Sequence, residues 1–188
     1  MDDLEVGGSL VGSSPDSLFL LNSTLVSFTS DLPSLENGTF MFGGCSLTSF
    51  DGELSSLTNG YVMFIASGVT NFNTDLNSLS NGEGMFYGCS NLTSFDSDLS
   101  SLTNGYNMFA DCNLNSDSII NIANTINDVN HLIGTTDMMT GQTITEIPID
   151  LGTIPSDSDI SSALEQMENK GWTIYSNGEE HIGGGNLG

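Results

Sequence analysis

A phrase of 22 or 23 residues recurs along this chain, and no other feature restricts the fold as much. Phe28, Phe50, Phe72 and Phe95 mark it, lying 22, 22 and 23 residues apart. Around them the copies align closely, as in "LTSFDGELSSLTNGYVMFIASG" from Leu47 and "LTSFDSDLSSLTNGYNMFADCN" from Leu92. Asn37, Asn59, Asn81 and Asn104 keep the same register, and so do Met41, Met63, Met85 and Met108, and Phe42, Phe64, Phe86 and Phe109. Asn91 is an insertion that lengthens one interval; a half-unit at 18–28 precedes the first full copy, and the pattern stops after Leu114. A period in the twenties is the mark of a solenoid, because so short a unit buries its apolar face only against copies of itself.

Within one unit, L-T-S-F-D alternates apolar and polar residues, which predicts a short strand with Leu and Phe directed inward. The following L-x-S-L predicts one helical turn, Asn-Gly a bend, and M-F a return into the core. Parallel strands would then stack about 4.8 Å apart, turning alignment columns into ladders.

Four segments follow: an N-terminal arm at 1–17, the solenoid at 18–115, a helix/strand cap at 116–176 and a flexible Gly-rich tail at 177–188. In the cap, 115–129 predicts an amphipathic helix with Ile119, Ile122, Ala123 and Ile126 on one face and Ser116 or Asp117 as N-cap. "TITEIPIDLGTI" predicts a strand whose Pro148 suits an edge. "SDISSALEQMENKGW" predicts a second helix facing inward through Ile160, Ala163, Leu164 and Met167, with acids near its start, Lys170 at its end and Gly171 as its stop. Trp172, Ile174 and Tyr175 would form a final strand.

The M-F-x-x-C-x-x-L-x-S-F core, with Asn-Gly upstream, resembles the BspA-type leucine-rich repeats of bacterial and mycoplasmal surface proteins, which also occur in phage-encoded proteins. The resemblance covers about residues 18–115. It implies an α/β repeat fold, a short leucine-rich-repeat solenoid of about four rungs with parallel β-strands and an α/β C-terminal cap, used for adhesion or protein contact and not for catalysis. The ending "ALEQMENKGWTI" is similar to the tails of related repeat proteins in gut bacteria and their phages.

Charge narrows the partners. Twenty-four acids stand against one base, Lys170, for a net charge of -23. Nucleic-acid binding needs Lys and Arg to displace counterions, and anionic membranes need the same. "MDDLEVGG" lacks the basic start and apolar run of a secretory signal, and no window approaches a membrane span. The expectation is therefore a non-enzymatic, virion-associated protein, a phage head or tail appendage displaying a repeat surface to a host glycan or protein, with contacts to other virion proteins and room for a homo-oligomer. The alternatives are a secreted or anchored cell-surface adhesin and, more distantly, a polysaccharide hydrolase. His131 and His181 lie outside the repeats and in no catalytic motif.

Several columns are candidate sites. Asp31, Glu53, Asp75 and Asp98 would repel one another when stacked, and Ca²⁺ bridging them would relieve this; otherwise they form a solvated edge. Asp51, Asn73 and Asp96 add oxygen donors beside them. No other cofactor is indicated. The Asn-Gly column reads as structural, tolerating positive φ and satisfying turn groups. Asn22, Cys45, Ser67, Cys89 and Cys112 share a column of small residues, which suits core thiols; Cys89 and Cys112, in adjacent rungs, could also approach disulfide distance. Tyr61 and Tyr106 share a column with Thr39 and Glu83. Their rings suit stacking on sugars, and with Asp96 and Asp98 they are the candidate ligand-binding residues. Sequons at Asn22, Asn37 and Asn91 read as chance within the repeat.

Overall fold

The computed structural model describes residues 21–135, 142–157 and 160–181. The arm at 1–17, the start of the half-unit and the tail from 182 onward lie outside the described residues. The chain is an α/β protein of small parallel strand pairs and two helices among the described residues.

The first four strands have two residues each: β1 (Ser27–Phe28), β2 (Ser49–Phe50), β3 (Asn71–Phe72) and β4 (Ser94–Phe95). β1 pairs with β2 and β3 with β4, both parallel and with each Phe opposite the next. The strands are shorter than alternation predicts. In L-T-S-F-D the buried positions are Leu47 and Phe50, three apart, with exposed Thr48 between them. A spacing of three bends the chain around the core, so only Ser-Phe is extended. The more continuous ladder runs through the asparagines, bridged in parallel from Asn37 to Asn59, Asn81 and Asn104.

Each leucine pair closes the predicted single turn, as Leu57 N–H donates to the Leu54 carbonyl at 2.9 Å. After Asn-Gly come overlapping tight turns, such as Met63 to Gly60 at 3.0 Å and Ser67 to Phe64 at 2.9 Å. Their left-handed residues are Val62 (φ 47°) and Ala66 (φ 52°), matched one copy later by Gly84 (φ 59°) and Gly88 (φ 74°). Positive φ thus falls two and six residues past the motif glycine, not on Asn-Gly as expected. The motif glycine serves close approach instead. A Cβ on Gly82 would sit 2.9 Å from Met108 Sδ, one on Gly60 2.9 Å from Met85 Sδ, and one on Gly38 2.5 Å from Met63 Sδ. Each Met fills the space over the preceding copy's glycine.

Two phenylalanine columns fill the centre. Rings within a column lie nearly parallel, as for Phe64 and Phe86 at 5.4 Å and 3°, and rings across columns meet edge to face, as for Phe72 and Phe86 at 4.8 Å and 69°. Each such pair contributes roughly 0.5–1.5 kcal/mol beyond its buried area.

Hydrogen bonds between copies run in opposite senses on the two sides. On the strand side the bonds flanking the paired residues run backwards from the later copy, as in Thr48 to Val26 (2.8 Å) and Asp96 to Phe72 (2.8 Å), with Leu32 to Glu53 (2.9 Å) running forwards. On the Met-Phe side the earlier copy donates forwards, as in Phe42 to Met63 (2.8 Å) and Phe86 to Met108 (2.9 Å).

The fourth copy consequently ends with spare acceptors on one side and spare donors on the other, and the C-terminal segment supplies both partners. Asn115 N–H donates to the Thr93 carbonyl and Asn127 N–H to that of Leu99, at 2.9 and 3.3 Å, flanking α1 (Ser116–Thr125). Across the core, Phe109 N–H donates to the Asp150 carbonyl at 3.0 Å, in β5 (Ile147–Asp150). There Ile149 takes the position of a fifth Met, 3.0 Å from where a Cβ of Gly105 would stand.

The α1 N-cap is Asn115, whose side chain accepts from Ser118 N–H, and not Ser116 or Asp117. α2 (Ile160–Asn169) buries the predicted Ile160, Ala163, Leu164 and Met167, carries no acid in its first turn, and gives way to Gly171 at φ 93°. β6 (Trp172–Ser176) pairs parallel with β5 and antiparallel with β7 (Glu179–Glu180). Pro148 is thus flanked by β6 on one side and by the Gly105–Ile149 bridge on the other, not at a free edge. It fits because Leu151 N–H points to β6, and strand alternation aims the N position of Pro148 away from β6. Residues 177–181 also differ from the expected tail, since they complete this hairpin.

Candidate functional site

The asparagine column is an internal amide ladder. Asn81 Oδ1 accepts from Glu83 N–H at 3.2 Å, and Asn81 Nδ2 donates to Asn59 Oδ1 at 2.9 Å. Asn104 repeats this on Asn81 at 3.0 Å, and its amide also reaches Glu83 Oε2 at 3.1 Å. Each amide closes its own turn and grips the previous one, so little capacity is left for a ligand.

The carboxylate column is exposed, and its members bond to nearby groups. Asp31 Oδ1 accepts from Glu53 N–H (3.2 Å), Asp75 Oδ1 from Asn77 N–H (2.9 Å) and Asp98 Oδ1 from Ser100 N–H (2.7 Å). Among the described residues, no group of three or more His, Cys, Asp or Glu is placed to hold a metal ion.

Cys45, Cys89 and Cys112 are buried thiols outside any disulfide. Cys89 Sγ donates to the Phe64 carbonyl at 3.0 Å and Cys112 Sγ to that of Phe86 at 3.1 Å, rather than bonding to each other. Burial pushes all three thiols up; the neighbouring Cys89 charge adds to the rise at Cys112. Protonated, enclosed thiols are poor nucleophiles.

The four candidate ligand residues do not converge. Asp96 lines a shallow depression of about 270 Å³ on the strand side, with Thr48, Asp51, Thr70 and Asn73. A neighbouring hollow of about 370 Å³ is formed by Asp51, Glu53, Ser55, Asn73 and Asp75. Tyr61 is half-buried and packs edge-on against Phe40, with ring centroids 5.8 Å apart. Tyr106, two copies later with Glu83 between them in the column, is 50% exposed and lines a different cleft.

That cleft, about 260 Å³, lies between the last copy and the cap, lined by Tyr106, Asn107, Glu146, Pro148, Asp150 and Tyr175, with Gly178 at the hairpin turn. Its walls are tied by Phe109 N–H to Asp150 O (3.0 Å) and by Asp111 N–H to Asn177 Oδ1 (2.8 Å). Buried Asp150 accepts from Gly152 N–H (2.8 Å), Asn177 N–H (3.0 Å) and Gly178 N–H (2.7 Å), so it braces the cleft. Burial raises the Tyr175 phenol, and the Glu146 and Glu180 carboxylates raise it further. Repeat columns could not reveal this cleft, because half of it comes from outside the repeat. Only Tyr106 could be found from the sequence.

Comparison with protein-family models, with curated proteins and with solved structures found no match. Among the described residues no helix is long and apolar enough to cross a membrane.

Proposed function

We propose that the chain is a non-enzymatic binding module, a leucine-rich-repeat solenoid of the BspA type carried on a phage particle as a head or tail appendage. In this reading it presents its repeat surface to a glycan or protein on the host. What supports the reading above all is the division of labour between columns. The Phe, Met, Leu and Cys columns are buried, and the Asn amides are used on one another. Short polar side chains, Thr48, Thr70 and Thr93 with Asp51, Asn73 and Asp96, face outward once per copy. Regular spacing of small polar groups suits a surface that makes many similar contacts, added through avidity when several copies are displayed.

The placement is tested by mass spectrometry of purified virions. Peptides of this chain in stoichiometric amount support it, and recovery only from a bacterial envelope overturns it. Binding to immobilised host cells, competed by soluble protein, tests the adhesive role independently.

A further inference from the structure

We infer that the cleft between the last repeat copy and the cap sheet, walled by Tyr106 and Tyr175, binds one uncharged pyranose ring of a glycan; the assignment rests on the binding-module reading and names its contact point. Three observations converge on it.

First, the aromatic surface there is unused. Tyr61, in the same column, spends its ring on Phe40, whereas Tyr106 is half exposed on the cleft with its main chain held by Asn104 Oδ1 at 3.1 Å. A pyranose presents a face of C–H groups, which packs on an aromatic ring, and a rim of hydroxyls, which needs acceptors. Tyr106 and Tyr175 supply rings, while the Asn107 amide and the remaining lone pairs of Glu146, which also accepts from the Tyr175 hydroxyl, supply rim partners.

Second, the size is right for one ring. About 260 Å³ falls just under the range of small-ligand clefts, ~300–1,000 Å³. The remainder of a chain would leave along the open side.

Third, charge selects among sugars. Glu146 and Asp150 line the cleft, Glu180 acts on Tyr175, and no Lys or Arg lines it. Sialylated, sulfated and phosphorylated sugars are repelled, which leaves neutral hexoses and their N-acetylated forms.

The cleft is preorganised, since Asp150 pins the hairpin turn through three N–H groups. Binding therefore orders little additional chain.

The test is an NMR titration of the full chain with methyl glucoside, methyl galactoside, methyl mannoside and N-acetylglucosamine, each on its own. One of them is expected to bind in the millimolar range, with shifts centred on Tyr106, Asn107, Glu146 and Tyr175. Tyr106→Ala is expected to weaken it roughly 3- to 10-fold. Tyr61→Ala, which removes only the packing on Phe40, serves as the matched control and should leave the sugar affinity unchanged. An unchanged melting temperature for Tyr106→Ala shows that the fold is intact, and Tyr175→Phe, which keeps the ring, is expected to retain the affinity; a loss as large as that of Tyr106→Ala would overturn ring stacking as the source of binding.

Shifts confined to another face, or no shift with any of the four, overturn the assignment. If the chain holds host cells while Tyr106→Ala does so equally well, the cleft falls and the binding module stands. If neither sugars nor host cells are bound, both fall.

Discussion

Lys170 closes the end of a helix that is not its own: its ammonium donates to the Ala123 carbonyl of α1 at 2.8 Å. It also reaches the Ile126 carbonyl at 2.9 Å and that of Asn124 at 3.4 Å. The chain's single base thus caps the negative end of α1 and joins the two helices.

Lys170→Met should therefore cost about 1–2 kcal/mol, more than an exposed substitution such as Glu165→Gln. Urea midpoints read this directly. Equal midpoints for the two variants would show that water caps α1 as well as the ammonium does.

Alkali should lower the stability of the protein. The buried thiols of Cys45, Cys89 and Cys112 are held protonated above their ordinary value by burial. Above about pH 8.5, where unfolded thiols ionise, the unfolded chain holds fewer protons than the native state, and stability falls as pH rises. Lys170 works the other way, because burial lowers it, and its contribution improves with pH until the unfolded amine also loses its proton. With three thiols and the Tyr175 phenol raised against one amine lowered, the net slope is downward. Cys112→Ala should flatten the decline of melting temperature between pH 8.5 and 10; an unchanged slope would place the sensitivity elsewhere.

The motif glycines should resist even alanine. Gly82→Ala brings a Cβ to 2.9 Å from Met108 Sδ and 3.2 Å from Leu102 Cδ1, an overpacking penalty of roughly 1–3 kcal/mol. Combined with Met108→Ala, the second change should cost less than it does alone. Strict additivity in a double-mutant cycle would contradict this account.

Asn81→Ala should be more harmful than Asn71→Ala, though both occur in the third copy. It removes the acceptor for Glu83 N–H and for Asn104 Nδ2, and the donor to Asn59 Oδ1. Unsatisfied groups in a half-buried ladder cost ~1–3 kcal/mol. Thermal melts would show the contrast.

Salt should stabilise the fold without regard to cation chemistry. With a net charge of -23, screening relieves self-repulsion. Ca²⁺ and Mg²⁺ at matched ionic strength should raise the melting temperature equally. A larger rise with Ca²⁺ would mark the carboxylate column as a metal site.

Repetition made the core legible before any geometry was known, because a column shared by four copies averages out local ambiguity. Phe28 to Phe95, the Met column and the Asn ladder were all visible in that way. Asn-Gly was misleading in detail, since the pair signals positive φ by habit whereas Gly82 answers to Met108, a residue in the next copy. Pro148 misled similarly, because its neighbour on the far side, Gly105, lies 43 residues earlier. The two tyrosines of the carbohydrate column part company for the opposite reason. Tyr61 and Tyr106 look equivalent in an alignment, yet one faces Phe40 and the other Tyr175, and only the second neighbour belongs to a non-repeated segment.

The opposed hydrogen-bond senses on the two sides of the stack have one more effect. Peptide dipoles pointing forward along the Met-Phe side offset those pointing back along the strand side. Unlike a helix, in which every peptide dipole points the same way, this stack sets part of its peptide dipoles against the rest in each copy. The C-terminal end keeps the same mixture of donors and acceptors at any length, so a copy inserted or excised whole would meet the same two-part closure at α1 and β5. Variation in reach is thereby open to simple duplication of one 22-residue phrase, with no redesign of the end that holds it.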